Sequence, residues 1–150
     1  MEVKSLEFRK ICRDACINLN LPDPDRLGES GHVAVDGIEF GLLVNDEVVP
    51  DRMQLFVDIG SVAQCAQSTI YRNLLSLNMT MGAVQDGVFG IDESTGRVVF
   101  ASRIVMADGL SGMGLARLLR GFARMATGWR QSLLEGAPPA SVQNRGLFDS

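Results

Sequence analysis

The stretch Gly87-Val-Phe-Gly-Ile-Asp-Glu-Ser-Thr-Gly96-Arg-Val-Val-Phe100 sets two β-forming runs on either side of Asp92-Glu-Ser-Thr-Gly96. That link is made of turn-forming residues, so the segment reads as a hairpin with strands over 83–91 and 97–106. On the second strand Val98, Phe100 and Ile104 share one face with Ser102, and Val99, Ala101 and Val105 share the other. Downstream, Leu115, Leu118, Leu119, Phe122, Ala126, Trp129 and Leu133 keep helical spacing over about five turns, with Arg117, Arg120 and Arg124 opposite.

Upstream of the hairpin, Val62, Ala66, Ile70, Leu74 and Leu77 form one helical stripe over 61–78, widened by Tyr71 and Leu75, with Ser61 at the N-cap position. Before that the period changes to two. Val33 and Val35 alternate, Asp36-Gly37 is a hairpin turn signal, and Ile38, Phe40, Leu42 and Val44 follow on one face. Asn45-Asp46-Glu47 and Pro50-Asp51 break the pattern, and Met53, Leu55, Val57 and Ile59 resume it. Three strands with short links predict an antiparallel meander. Leu43 and Phe56 stand on the opposite face from these stripes, so that face is not fully polar.

Residues 3–20 read as a helix with Phe8, Ile11, Cys12, Ala15 and Leu19 on one face, stopped by Leu21-Pro22-Asp23-Pro24-Asp25. Val3, Leu6 and Ile17 lie roughly opposite, a second apolar stripe that a helix covering a single core does not need. The order is α-β-β-β-α-β-β-α, an α+β fold with an antiparallel sheet packed against helices. The folded domain is expected over 1–136. The Pro, Ser, Gln and Gly content of 137–150 predicts a flexible C-terminal tail.

The 150 residues suit one domain, and 46% hydrophobic content suits a packed core rather than a disordered chain. A net charge of −4 argues against general affinity for nucleic acid or anionic membranes. No uncharged apolar run reaches bilayer length, so no membrane insertion is expected. Three cysteines, Cys12, Cys16 and Cys65, make no disulfide framework and suit a reducing cytosol.

Catalytic and cofactor chemistry finds little footing. Gly109-Leu-Ser-Gly112-Met-Gly114 lies at a strand-to-helix joint where an anion loop would lie. Its spacing is GxxGxG, no Walker lysine follows, and no later strand completes a dinucleotide fold. Cys12 and Cys16 share a helix face, but only Cys65 and His32 remain to complete a zinc site. No local signature marks Cys65 as a nucleophile. The expectation is therefore no enzyme activity, no metal and no cofactor. The surplus apolar residues point instead to a protein that binds other chains.

The element order, the Phe-Gly-x-Asp-x-x-x-Gly-x-Val hairpin of 89–98 and the closing helix with Leu118, Leu119, Phe122 and Trp129 resemble the Tir chaperone (CesT) family, the class I chaperones of bacterial type III secretion. The likeness runs over residues 3–135 and carries no catalytic motif. It implies an acidic homodimer of the bacterial cytoplasm. Such a protein binds an extended N-terminal segment of a secreted effector and keeps it soluble and secretion-competent without ATP hydrolysis. It also implies a dimer built around the middle helix, Val62–Leu77, and effector strands added at sheet edges beside apolar pockets.

On that basis Val3, Leu6, Ile17, Leu43 and Phe56 are candidate effector-binding residues, their alternative being a place in the core or dimer interface. Ile70, Tyr71, Leu74 and Leu75 are the candidate dimer residues. The competing function is a small α+β regulatory or adaptor domain that binds a folded protein partner.

Overall fold

Alternation and helical periodicity divide the chain into layers that the computed structural model bears out. The structure describes residues 2–44, 52–81, 87–105 and 110–134, with side chains from residue 8 onward except Arg52 and Val105. Helix α1 (Glu2–Asn18) is followed by the short helix α2 (Arg26–Ser30). Strands β1 (His32–Val35), β2 (Ile38–Val44) and β3 (Arg52–Gly60) come next, then helix α3 (Gln67–Met81). The hairpin β4 (Gly87–Asp92) and β5 (Arg97–Val105) leads to α4 (Gly112–Trp129), which ends in a π-helical turn, Arg130–Leu134.

The five strands form one antiparallel sheet in the order β1-β2-β3-β5-β4. The meander expected from residues 31–59 is present. Its first turn is the two-residue Asp36-Gly37 link, with φ of 52° and 83° between the paired Val35 and Ile38. Both positive angles match the right-handed twist of the flanking strands.

One face of the sheet carries the core. Val33, Val35, Ile38, Phe40, Met53, Leu55, Val57, Ile59, Val98 and Phe100 are buried there, against Cys12, Ala15 and Cys16 of α1 and Leu115, Leu119, Ala123 and Ala126 of α4. The decisive hairpin is joined to the last helix through its aromatics. Phe89 meets Phe100 and Trp129 edge-on, with ring centroids 5.0 and 4.9 Å apart, and Phe100 lies 5.1 Å from Trp129 and 6.0 Å from Phe122. Such pairs add about 0.5–1.5 kcal/mol each beyond area burial.

The glycine-rich joint serves packing. Ser111 Oγ accepts the Gly114 N–H at 3.0 Å and caps α4. A Cβ on Gly112 would run into Asp14 and the backbone of Ala15, so glycine lets α4 approach α1 closely. Gly109 lies outside the described residues.

Three expectations are corrected. Residues 26–30 form a helical turn, too short to show periodicity, whose Leu27 is fully buried. The middle helix begins at Gln67 after a 3-10 turn, Gln64–Ala66, so Ser61 does not cap it; Ser61 Oγ instead accepts Arg97 Nη1 at 3.1 Å. That helix also runs past residue 78, where its stripe was expected to end, and continues through Met81, with Asn78 anchored to β4. Strand β4 starts at Gly87; the expected positions 83–86, the tail over 137–150 and the boundary at 136 lie outside the described residues.

Candidate functional site

Strand alternation that buries one face of the sheet presents the other, and the helices described above lie on the buried side. The cross-strand register sets His32 beside Gly41, Gly41 beside Phe56, Phe56 beside Ala101, and Ala101 beside Val88. The neighbouring row runs from Asp58 to Val99 to Gly90. Phe56, Val99 and Ala101 are half-buried and Val88 is 53% exposed, a level of apolar exposure unusual for one contiguous sheet face.

Two shallow recesses share this face. One, of about 360 Å³, is lined by Phe56, Val88, Gly90, Ile91, Asp92, Val99 and Ala101. The other, of about 330 Å³, shares Phe56, Asp92 and Val99 and reaches across to Glu39, Gly41 and His32. Together they make one groove across the strands with Phe56 at its centre. At Gly90 an added Cβ would meet nothing within 4 Å, which leaves the groove open there, whereas at Gly41 the His32 imidazole takes the space, 3.5 Å from such a Cβ. One end is braced by Arg97, whose Nε and Nη2 donate to Asp58 at 2.9 Å each. The bond to Asp58 raises the Arg97 pKa further. Arg130 Nε donates to Ile59 O, at 2.6 Å, tying the end of β3 to the last helix.

The two edges of the sheet differ. At β4, Asn78 of α3 donates from Nδ2 to Phe89 O at 3.1 Å and accepts Phe89 N–H through Oδ1 at 2.7 Å. A side-chain amide thus occupies the bonds an added strand would make there. At β1, Ser30 Oγ accepts His32 N–H at 3.1 Å. The alternation of antiparallel bonding, with Gly31 O receiving Leu42 N–H at 2.7 Å, leaves the N–H and C=O of Ala34 directed outward.

Of the sequence-derived candidates, Phe56 forms the centre of the groove. Leu43 lies on the same sheet face, beside Gln54 and 53% exposed, and Ile17 is 52% exposed on α1, on the helical side. The structure does not bring Ile17 together with the other two. The side chains of Val3 and Leu6 lie outside those described. On α3, Ile70 and Leu74 join the chain's own core and Tyr71 is half-buried against it, whereas Leu75 is 70% exposed and Met79, one turn on, 79%. Val88, Gly90, Val99 and Ala101 complete the groove. Their signal in the sequence was the second apolar face of the decisive hairpin.

The thiols are spread apart in character. Burial pushes the Cys12 thiol up to about 12, with Cys16 adding to the effect, and burial also raises Cys16, while Cys65 is exposed. Among the described residues no cluster of three or more His, Cys, Asp or Glu is placed to hold a metal. No helix among them is long and apolar enough to cross a membrane.

The chain that folds into this five-stranded antiparallel sheet with its apolar outer groove has a match in sequence: residues 30–130 fit the family profile described as Tir chaperone protein (CesT). The chain belongs to the CesT family. Solved structures share the CesT fold seen here. The chain resembles one in the crystal structure of the ExsC–ExsE complex, with a TM-score of 0.67 and 23% identity over 87% of this chain and 96% of that one. A chain in the HopA1–SchA chaperone–effector complex is similar with a TM-score of 0.58 and 17% identity, covering 87% of this chain and 98% of that one. No curated protein matches in sequence.

Proposed function

We propose that this CesT-family protein is a type III secretion chaperone of the bacterial cytoplasm. It binds an extended N-terminal segment of a secreted effector and keeps it soluble and secretion-competent, without hydrolysing ATP or performing other catalysis. The observation that carries this reading is the apolar groove centred on Phe56, on a sheet face that α1 and α4 leave uncovered. Family membership and the fold shared with a chaperone–effector complex support it.

The groove and the β1 edge divide the work. Strand addition at Ala34 satisfies the guest's backbone and the host's edge at once. Apolar side chains in the groove add about 25 cal/mol per Å² buried, and ordering an extended guest offsets much of that gain. The guest is thereby held without folding and released without an energy source. Leu43 extends the apolar face beyond the groove. Val3, Leu6 and Ile17 belong to a second contact along α1. The working domain ends near residue 136, and two copies pair through the outward side of α3, around Leu75 and Met79, with Tyr71 beside them and Ile70 and Leu74 supporting the helix from within.

Purification of the tagged protein from its source bacterium with secretion blocked tests the reading. The expected result is a stoichiometric secreted protein, lost when its N-terminal region is deleted and lost from Phe56→Asp. Recovery of folded cytosolic proteins alone would favour an adaptor domain instead.

A further inference from the structure

The rim of the groove is charged, and its charges do not cancel. Asp58 is taken up by Arg97, which donates to it from Nε and Nη2 and also reaches Ser61. Glu39 of β2 and Asp92 at the end of β4 line the same recess as Phe56 and Val99, and no cation among the described residues pairs with either. Asp92 accepts the Ser94 hydroxyl and N–H at 2.8 and 3.0 Å, bonds that hold its carboxyl below the usual range and keep it ionised. Arg97 is neutralised by Asp58, so the two free carboxylates leave the recess net negative around an apolar floor.

Their placement sets a spacing. Glu39 and Asp92 lie on β2 and β4, three strand intervals apart in the order β2-β3-β5-β4. At about 4.8 Å per interval that is roughly 14 Å across the strands. Asp92 opposes Arg97, two residues along from the Val99 row that Glu39 continues. The separation is therefore about 16 Å, the span of roughly four to five residues of extended chain, of which four keeps both side chains on one face. A guest crossing the groove with apolar side chains on Phe56, Val99 and Ala101 therefore places residues about four apart beside the two carboxylates.

Resting on the chaperone reading above, we infer that the effector segment seated in this groove is apolar at its centre and carries Lys or Arg about four residues apart on either side. Glu39 and Asp92 are the residues that select it. An acidic segment of the same apolar content is rejected by desolvation and repulsion against the same two groups. The choice is electrostatic and exposed to solvent, so it weakens with salt while the apolar contact does not.

The test uses the ¹⁵N-labelled full-length protein titrated with two peptides, Gly-Ser-Lys-Thr-Val-Thr-Lys-Ser-Gly, whose central Val shares a face with both Lys in an extended chain, and the same peptide with Glu in place of Lys. The expected result is that the basic peptide shifts the amides of Phe56, Val88, Val99 and Ala101 and binds on the order of fivefold more tightly than the acidic one. Glu39→Gln and Asp92→Asn each cut that preference by about twofold, within the scale of exposed ion pairs. Both variants are checked for unchanged melting, and 0.5 M salt also reduces the preference. Equal binding, or preference for the acidic peptide, with the groove amides still responding, overturns the charge rule and leaves the groove as the guest's seat. No response of those amides to either peptide overturns the placement of the guest in the groove, and the charge rule with it.

Discussion

Asn78 stands to Phe89 as a neighbouring strand would: its amide both donates to the Phe89 carbonyl and accepts the Phe89 N–H, at 3.1 and 2.7 Å. The contact joins the middle helix to the outer strand of the sheet. It also takes up the backbone bonds of that strand at its midpoint, whereas at the opposite edge the N–H and C=O of Ala34 are directed outward.

Replacing Asn78 with Ala removes both bonds and leaves two partly buried backbone groups without partners. The expected cost is about 1–3 kcal/mol. For a chain of this size that corresponds to a fall in Tm of roughly 2–4 °C per kcal/mol. Hydrogen exchange separates this from general loosening: the Phe89 amide, slow in the native protein, becomes fast in Asn78→Ala while amides of β3 stay protected. Unchanged exchange at Phe89 would mean the amide bond is incidental.

The buried thiols predict an alkaline limit to stability. Cys12 ordinarily titrates near 9.0 and is pushed up to about 12 by burial, and Cys16 moves in the same direction. The folded chain thus keeps protons that the unfolded chain loses above pH 9. Stability from this source is complete below pH 9 and falls as pH rises toward 12, by about 1.4 kcal/mol per pH unit for one such group. Melting followed from pH 8 to 10.5 should show the decline, with a shallower slope in Cys12→Ala. At neutral pH a thiol reagent should modify Cys65 quickly and the other two only on unfolding.

Glycine at 112 and glycine at 121 occupy the same helix and should respond in opposite directions. An added Cβ at Gly112 meets Asp14 and the Ala15 backbone, which cannot move aside cheaply. Gly112→Ala should therefore cost about 1–3 kcal/mol by forcing α4 away from α1. Gly121 has open space where a Cβ would go. Gly121→Ala should stabilise by roughly 0.5–1 kcal/mol, since glycine gives up more backbone freedom in a helix. Denaturant unfolding of both variants decides this, with Cm moving down for the first and up for the second.

These contrasts mark where the sequence was readable. Period-two runs such as Met53, Leu55, Val57 and Ile59 name their own buried face, and so name Phe56 as standing on the other. Asp36-Gly37 names its turn because few residue pairs accept two positive φ values. The groove was harder to see. Its floor joins β3 to the β4–β5 hairpin some forty residues on, and Val88, Val99 and Ala101 become neighbours of Phe56 only through the register of β3 with β5. Asn78 and Phe89 are eleven positions apart on elements of different kind, and no local pattern announces a side chain that imitates a strand. Ser61 misled for a related reason: a hydroxyl before a helical stripe looks like a cap, but a guanidinium from β5 claimed it.

Adjacent leucines on α3 provide the sharpest test of how two copies meet. Leu74 is 5% exposed and packs with Ile70 in the chain's own core, while Leu75 is 70% exposed and contributes almost nothing to it. An aspartate at 74 buries a charge with no partner and leaves a cavity, so Leu74→Asp should unfold the chain or cost about 3 kcal/mol or more. An aspartate at 75 meets water in the isolated chain and should leave circular dichroism and melting of the monomer close to native. If the outward side of α3 is the dimer contact, two such charges face each other across a two-fold axis, because the same patch serves both partners. Leu75→Asp should then sediment as a folded monomer where the parent sediments as a dimer. Leu75→Met keeps the apolar contact and should leave the dimer intact. A Leu75→Asp protein that remains dimeric would place the interface elsewhere on the surface.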